Sequence, residues 1–170
     1  MNVHEAIKTK RAVRQFTAQP IPAEIVAQII NAGRRAQSSK NSQPWHFIAI
    51  RNTDTLKSLS ALGTFAGHLA GAALGIALIT VHPDVRWSIM FDAGQAAAYM
   101  QLQAWELGIG SCPATIYEPD QARDLLGFPA DLHLRAALSF GYPAKPETLN
   151  APPKKGGRNM LDELLHWEKW

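Results

Sequence analysis

The sequence holds a single cysteine, Cys112, in 170 residues. One cysteine closes no internal disulfide and builds no cysteine zinc site, so nothing points to an oxidising compartment. No Gly-x-Gly-x-x-Gly, no phosphate loop ending in Gly-Lys-Ser/Thr and no nucleophile elbow occurs. These absences remove the usual signatures of a dinucleotide-binding fold, a P-loop enzyme and a serine hydrolase. The 6 histidines do not pair with carboxylates at metal-ligand spacing, and His46 and His68 stand apart from them, so no metal is expected. Long apolar runs are also missing. The longest, Leu69 to Val81, covers about 13 residues, short of the roughly 20 that cross a bilayer. The opening Met1-Asn2-Val3-His4-Glu5 lacks the basic-then-apolar order of a signal peptide. A cytoplasmic protein with no membrane partner is expected.

Charge is scarce. Charged residues are 18% of the chain and the net charge is +3. That permits an anionic ligand but does not demand nucleic acid, and the basic residues lack the interleaved exposed aromatics of a single-strand binder. Hydrophobic residues reach 46%, which excludes a disordered chain. A chain this long buries about 70% of its unfolded surface without a staple. One domain over residues 1–170 is expected.

Apolar periodicity predicts helices over 3–10, 22–35 and 55–61, the second with Pro22 at its first position and the third capped by Thr53 or Asp54. Strands are predicted over 44–50, 74–81, 111–115 and 134–140. The 74–81 run is continuously apolar, as in a strand covered on both faces. Between Val85 and Leu107 lies a helix carrying Trp87, Ile89, Met90, Phe91, Tyr99, Met100, Leu102 and Trp105, with only Arg86, Asp92 and Glu106 charged. A helix apolar nearly all round is buried on all sides. A chain of this size offers little to bury it, so a second copy is the economical cover. A further helix from Glu118-Pro119-Asp120 stops at Gly127. Residues 143–170 then read as an extended arm rich in proline, glycine and lysine that ends in Trp167 and Trp170. Helices come first and the strands are separated, which indicates an α+β fold.

Three stretches carry polar chemistry. Lys8, Lys10, Arg11 and Arg14 fall within seven residues. They read either as a solvated basic face or as a phosphate site, since arginine forks bind phosphate through paired hydrogen bonds. Ser38-Ser39-Lys40-Asn41-Ser42-Gln43 reads as an ordinary polar turn, or as a loop that hydrogen-bonds the rim of a heterocycle or a sugar alcohol chain. Lys154-Lys155-Gly156-Gly157-Arg158 reads as a flexible linker, or as backbone that approaches a ligand closely. Cys112 sits in an apolar strand and reads as core. Asp92, on the apolar helix, reads as a satisfied core carboxylate that caps a neighbouring loop.

The order of these blocks carries more than any one of them. Lys10-Arg11-x-Val13-Arg14-x-Phe16 comes first. Ser38-Ser39-x-Asn41-x-Gln43-Pro44-Trp45-x-Phe47 follows before a strand. An alanine-rich helix then closes in Leu107-Gly108-Ile109-Gly110-Ser111-Cys112. Arg158-x-x-Leu161-x-Glu163-Leu164-x-His166-Trp167-Glu168-x-Trp170 comes last. This order resembles the nitroreductase family of FMN-dependent oxidoreductases, over nearly the whole chain. The resemblance implies a mainly antiparallel sheet flanked by helices and a domain-extended homodimer with two FMN molecules in the interface. It implies NAD(P)H as hydride donor, a small-molecule electrophile such as a nitroaromatic or quinone as acceptor, and a ping-pong exchange with no catalytic side chain.

By the same resemblance, Arg11, Ala12 and Arg14, with Lys10 beside them, hold the FMN phosphate and the pyrimidine side of the ring. Ser38, Ser39 and Asn41 reach the flavin from the partner chain or along the ribityl chain, and Gln43 supports their loop. Pro113, Ala114 and Thr115 run beside the ring. Gly156, Gly157 and Arg158 close on the phosphate, and His68 falls near the flavin oxygens. Ala12 stands where a serine is common. The stretch between Ile50 and the long helix is compact, without the inserted helices of fuller members, which matches a short subgroup. A dehalogenase or flavin-fragmenting relative on the same fold, or a non-enzymatic flavin carrier or sensor, remains the alternative.

Overall fold

A computed structural model describes residues 1–150 and 157–170, apart from the side chains of Arg135, Thr148 and Asn150. Four strands form one antiparallel sheet: β1 (Trp45–Ile50), β2 (Leu74–Val81), β3 (Gly110–Thr115) and β4 (Leu132–Gly141), in the order β1-β2-β4-β3. The last strand in sequence therefore slots between β2 and β3. The ladder from β2 to β4 shifts register between Leu78 and Ile79, which sit opposite Ala136 and Leu134.

Five helices cover the sheet: α1 (Val3–Thr9), α2 (Ala23–Arg34), α3 (Thr53–Ser60), α4 (Ser88–Glu106) and α5 (Pro119–Leu126). The α+β architecture matches expectation, with small shifts at the ends. Pro22 flanks α2 rather than opening it. Asn52, not Thr53 or Asp54, caps α3, its Oδ1 accepting from Thr55 N at 2.8 Å. Asparagine at that position satisfies one of the orphan amides of the first turn. The long helix starts only at Ser88, after a short 3-10 turn over Pro83–Val85.

One face of the sheet packs Ala77, Ile79, Ala114 and Leu134 under Leu56 and Leu59 of α3 and Ala122 of α5. The other packs Ile76, Leu138 and Phe140 under Val26 and Ile29 of α2 and Met100 and Ala104 of α4. β2 is covered on both faces, as its unbroken apolar run predicts. α4 is buried on one side only in the single chain: Ile89, Ala96 and Met100 are inside. Trp87, just before α4, is 83% exposed and Phe91 is 64% exposed. The arm from 157 to 170 is likewise exposed throughout.

Residues 12–16 run along the end of the sheet. Ala12 bridges Ser111 in parallel, and Phe16 bridges Pro143. Two glycines make this approach possible. A Cβ on Gly110 would lie 2.6 Å from Val13 Cβ, and one on Gly141 would lie 2.8 Å from Phe16 Cβ. Gly110→Ala is therefore expected to push the 12–16 segment off β3. Overpacking of that kind costs about 1–3 kcal/mol, read as a lower denaturation midpoint. An unchanged midpoint would show that the segment yields freely.

Candidate functional site

The 12–16 segment brings cations to the corner where β3 begins and β4 ends. Val13 N donates to Ser111 O at 3.0 Å, and Ala144 N donates to Gln15 O at 3.0 Å. Between these anchors Arg14 reaches the Cys112 thiol. Lys10 is half-buried. Burial pushes its ammonium below the ordinary range, the Cys112 sulfur opposes that, and Arg158 adds to it by repulsion. Arg158, from the far end of the chain, thus shares the corner with Lys10. No carboxylate pairs with Lys10, Arg11, Arg14 or Arg158 among the described residues. A cavity of about 260 Å³ opens here between Ala12, Arg14, Gln15, Pro143 and Lys145.

Arg11 is partly engaged elsewhere. Its Nη1 donates to the carbonyls of Lys8, Thr9 and Lys10 at 3.0, 3.1 and 3.2 Å, closing the C-terminal end of α1.

His68 faces the same corner from a 3-10 turn over Gly67–Leu69. Cys112 and Ser139 are cross-strand partners. Ser139 Oγ donates to Cys112 O at 3.2 Å and lies 2.8 Å from His68 Nδ1. The ring tautomer sets which of the two donates across the His68–Ser139 contact. Nε2 is buried without a hydrogen-bond partner among the described residues. Burial and then Arg14 hold the ring below its ordinary pKa, with the Pro113 backbone opposing. Burial pushes the Cys112 thiol up, against the pull of Arg14 and Lys10, so the sulfur stays protonated core.

Pro113 and Thr115 are exposed on edge strand β3, whereas the Ala114 side chain points into the core. Ala114 can meet a ligand only through its backbone. Gly157 and Arg158 are exposed at the start of the arm, and Gly156 lies outside the described residues.

Ser38, Ser39, Asn41 and Gln43 do not join this corner. Their loop leads into β1 at the opposite edge of the sheet, at the end where Trp45 pairs with Thr80. The two groups are separated by about four strand spacings of 4.8 Å and about six residues of 3.3 Å, roughly 28 Å along the diagonal. The loop is strained: Lys40, Asn41 and Gln43 take φ values of 54°, 52° and 44° without being glycine. Such residues cost about 1–3 kcal/mol each and cluster at ligand sites. Asp92 holds the loop by accepting from Ser39 N, which is the capping role read from sequence.

The Nitroreductase family profile matches residues 7–66 and 65–142. The chain belongs to the nitroreductase family. It is 30% identical over 173 residues to a putative NADH dehydrogenase/NAD(P)H nitroreductase of Archaeoglobus fulgidus, covering 96% of both proteins. Its fold superposes with a TM-score of 0.84 on an FMN-dependent nitroreductase from Clostridium difficile R20291, at 26% identity over 99% of this chain and 100% of that one. More distantly, it is 21% identical to an iodotyrosine deiodinase of Thermotoga neapolitana, over 85% of this chain and 90% of that protein. This nitroreductase-family chain is an oxidoreductase enzyme. Among the described residues no helix is long and apolar enough to cross a membrane.

Sequence reasoning overlooked three residues of these sites. Ser139 is fully buried, and its signal is a lone hydroxyl in the apolar run Ala136 to Phe140. Lys145 lines the cavity, and Arg86 joins Asp92 at the loop. Lys145 lies just past the predicted strand over 134–140, and Arg86 falls inside the predicted long helix, which the structure begins only at Ser88.

The depressed pKa of His68 sets a pH dependence. As pH falls below the ordinary value of 6.5, the unfolded chain takes up the proton before the folded one. Stability is then complete above that value and declines below it. Acid titration of ligand-free protein, followed by thermal unfolding, is expected to show this decline in the wild type and a shallower one in His68→Gln. Equal slopes would remove His68 from the account.

Proposed function

We propose that the chain is an FMN-dependent oxidoreductase. It passes hydride from NAD(P)H to a nitroaromatic, quinone or similar electrophile, and it works as a homodimer with FMN between the chains. The observation that carries this reading is the pair of half-sites on opposite corners of one sheet. One corner offers Lys10, Arg14 and Arg158 with no carboxylate partner among the described residues, and a buried ring nitrogen of His68 without a hydrogen bond. The other offers a strained loop of neutral hydrogen-bonding side chains. One FMN is shorter than the diagonal between them, so in this reading a second chain brings its loop to the first chain's cations.

The donor set fits the cofactor. Lys10, Arg14 and Arg158, with Lys145 at the cavity, would neutralise a phosphate dianion. His68 Nε2 would hydrogen-bond a polar atom of the ligand. The exposed backbone edge at Pro113 to Thr115 would lie beside the ring, and Ser38, Ser39 and Asn41 would come from the other chain. When bound, FMN supplies hydride acceptance and donation, and the protein's share is to hold, orient and tune it. No described side chain is placed as a nucleophile. Cys112 is buried and protonated, and Asp92 is occupied by the loop.

The dimer is supported by unpartnered apolar surface. Trp87, Met90, Phe91 and Tyr99 are exposed along α4, and Met160, Leu161, Leu164, Trp167 and Trp170 are exposed on the arm. An apolar groove of about 430 Å³ runs between Val3, Ile7, Tyr99 and Leu102. Exposed patches of that extent mark an interface.

A reductive dehalogenase is the second reading, favoured by the likeness to the deiodinase. Iodide release from iodotyrosine in the presence of NAD(P)H separates it from nitro or quinone reduction.

Purified protein is expected to be yellow with about one FMN per chain, and steady-state kinetics to give parallel double-reciprocal lines. Arg158→Ala and Arg14→Ala should each weaken FMN binding about tenfold to a hundredfold, the worth of one charge-assisted hydrogen bond. Protein that takes up no added FMN, or variants that keep wild-type affinity, would overturn the assignment.

A further inference from the structure

The loop ahead of β1 keeps a shape its own residues disfavour, and its restraints come from two sources. Inside the loop, Ser38 Oγ accepts from Gln43 N at 2.9 Å. Two backbone bonds, from Asn41 N to Ser38 O at 3.0 Å and from Ser42 N to Ser39 O at 3.1 Å, add to it, and outside the loop α4 and the turn before α4 hold it from the other side. Asp92, 2% exposed, accepts from Ser39 N on both carboxylate oxygens at 3.2 Å. Arg86 Nη2 donates to Ser42 Oγ at 2.6 Å and to Asp92 Oδ2 at 3.3 Å. One buried carboxylate therefore grips the loop backbone and is itself gripped by the cation that holds the loop's far side.

A buried ion pair is a poor way to stabilise a core, because desolvation offsets much of the attraction. A pair that reaches across 53 positions to one backbone amide does fix a conformation. The fixed conformation is the left-handed run at Lys40, Asn41 and Gln43, which any of these residues would leave if released. Asp92 is buried on α4 and directly follows the exposed Met90 and Phe91, so the grip is anchored on the helix whose outer face is exposed apolar surface.

We propose that Asp92, oriented by Arg86, is a positioning residue that keeps the Ser38–Gln43 loop in its left-handed form, so that the loop meets the FMN of the other chain already shaped. This rests on the reading of FMN held between two chains. Without the grip the loop relaxes towards negative φ, the competent shape becomes a minor population, and apparent affinity falls by that fraction.

Two readouts test the pair: hydrogen exchange at the Ser39 amide in ligand-free protein, and FMN affinity by fluorescence. Asp92→Ala is expected to speed Ser39 exchange and to weaken FMN binding, each by about tenfold. Asp92→Asn, which keeps an acceptor oxygen, should change both less. Adding Lys40→Gly to Asp92→Ala should recover part of the affinity, because glycine takes positive φ without steric cost. A mere packing defect under α4 would not be repaired from the loop. Wild-type exchange and affinity in folded Asp92→Ala, or a loss that Lys40→Gly leaves untouched, would overturn the proposal. If Asp92→Ala does not fold, Asp92→Asn with and without Lys40→Gly gives the same comparison. If the wild type takes up no FMN, the functional reading fails, and Ser39 exchange still decides whether Asp92 holds the loop.

Discussion

Positive charge drawn out of water at one corner of the sheet constrains the rest of the molecule. Lys10 loses hydration by burial and feels Arg158 beside it, and no carboxylate answers either among the described residues. Such a corner is stable only because packing elsewhere holds it. Val13 and Phe16 are seated on bare glycines of the sheet, and α1 is closed by Arg11. The fold supplies the free energy that keeps these cations together.

α4 links that corner to the rest. Its inner side packs with α2 and the sheet through Ala96, Met100 and Ala104, and its first turns carry the carboxylate that grips the polar loop. Its outer side shows Phe91 and Tyr99. One helix thus supports the core, the loop and an apolar surface together. That explains why its composition is apolar nearly all round yet broken by Asp92.

The elements themselves were readable. The unbroken apolar run of β2 gave a strand covered on both faces, and Gly108, Gly127 and Pro119 marked ends that the structure keeps. Cap identity was less readable: Asn52, Thr53 and Asp54 are all good caps, and only the chain path selects Asn52. Strand order was not readable, because the placement of β4 between β2 and β3 is decided by packing on both faces. The site was readable only in blocks. Nothing in spacing brings Lys10 to Arg158, and the resemblance alone joined them. It did not say that the serine loop would sit at the far corner of the same chain. Ser139 escaped notice because a serine in a buried strand reads as small filler until a histidine is seen above it.

The corner is assembled from residues 10–14, 68, 112, 139, 145 and 158, which draw on almost every part of the chain. Loop closures of that span are slow and come after local structure has formed. On the ribosome, helices α1 to α4 and the β1–β2 hairpin can form as they emerge, but β3 has no inner neighbour until β4 is made. The cationic corner is thus among the last features a nascent chain acquires. Until β4 is out, the chain presents the open edge of β2 to its surroundings, and the corner is complete only when residue 158 follows.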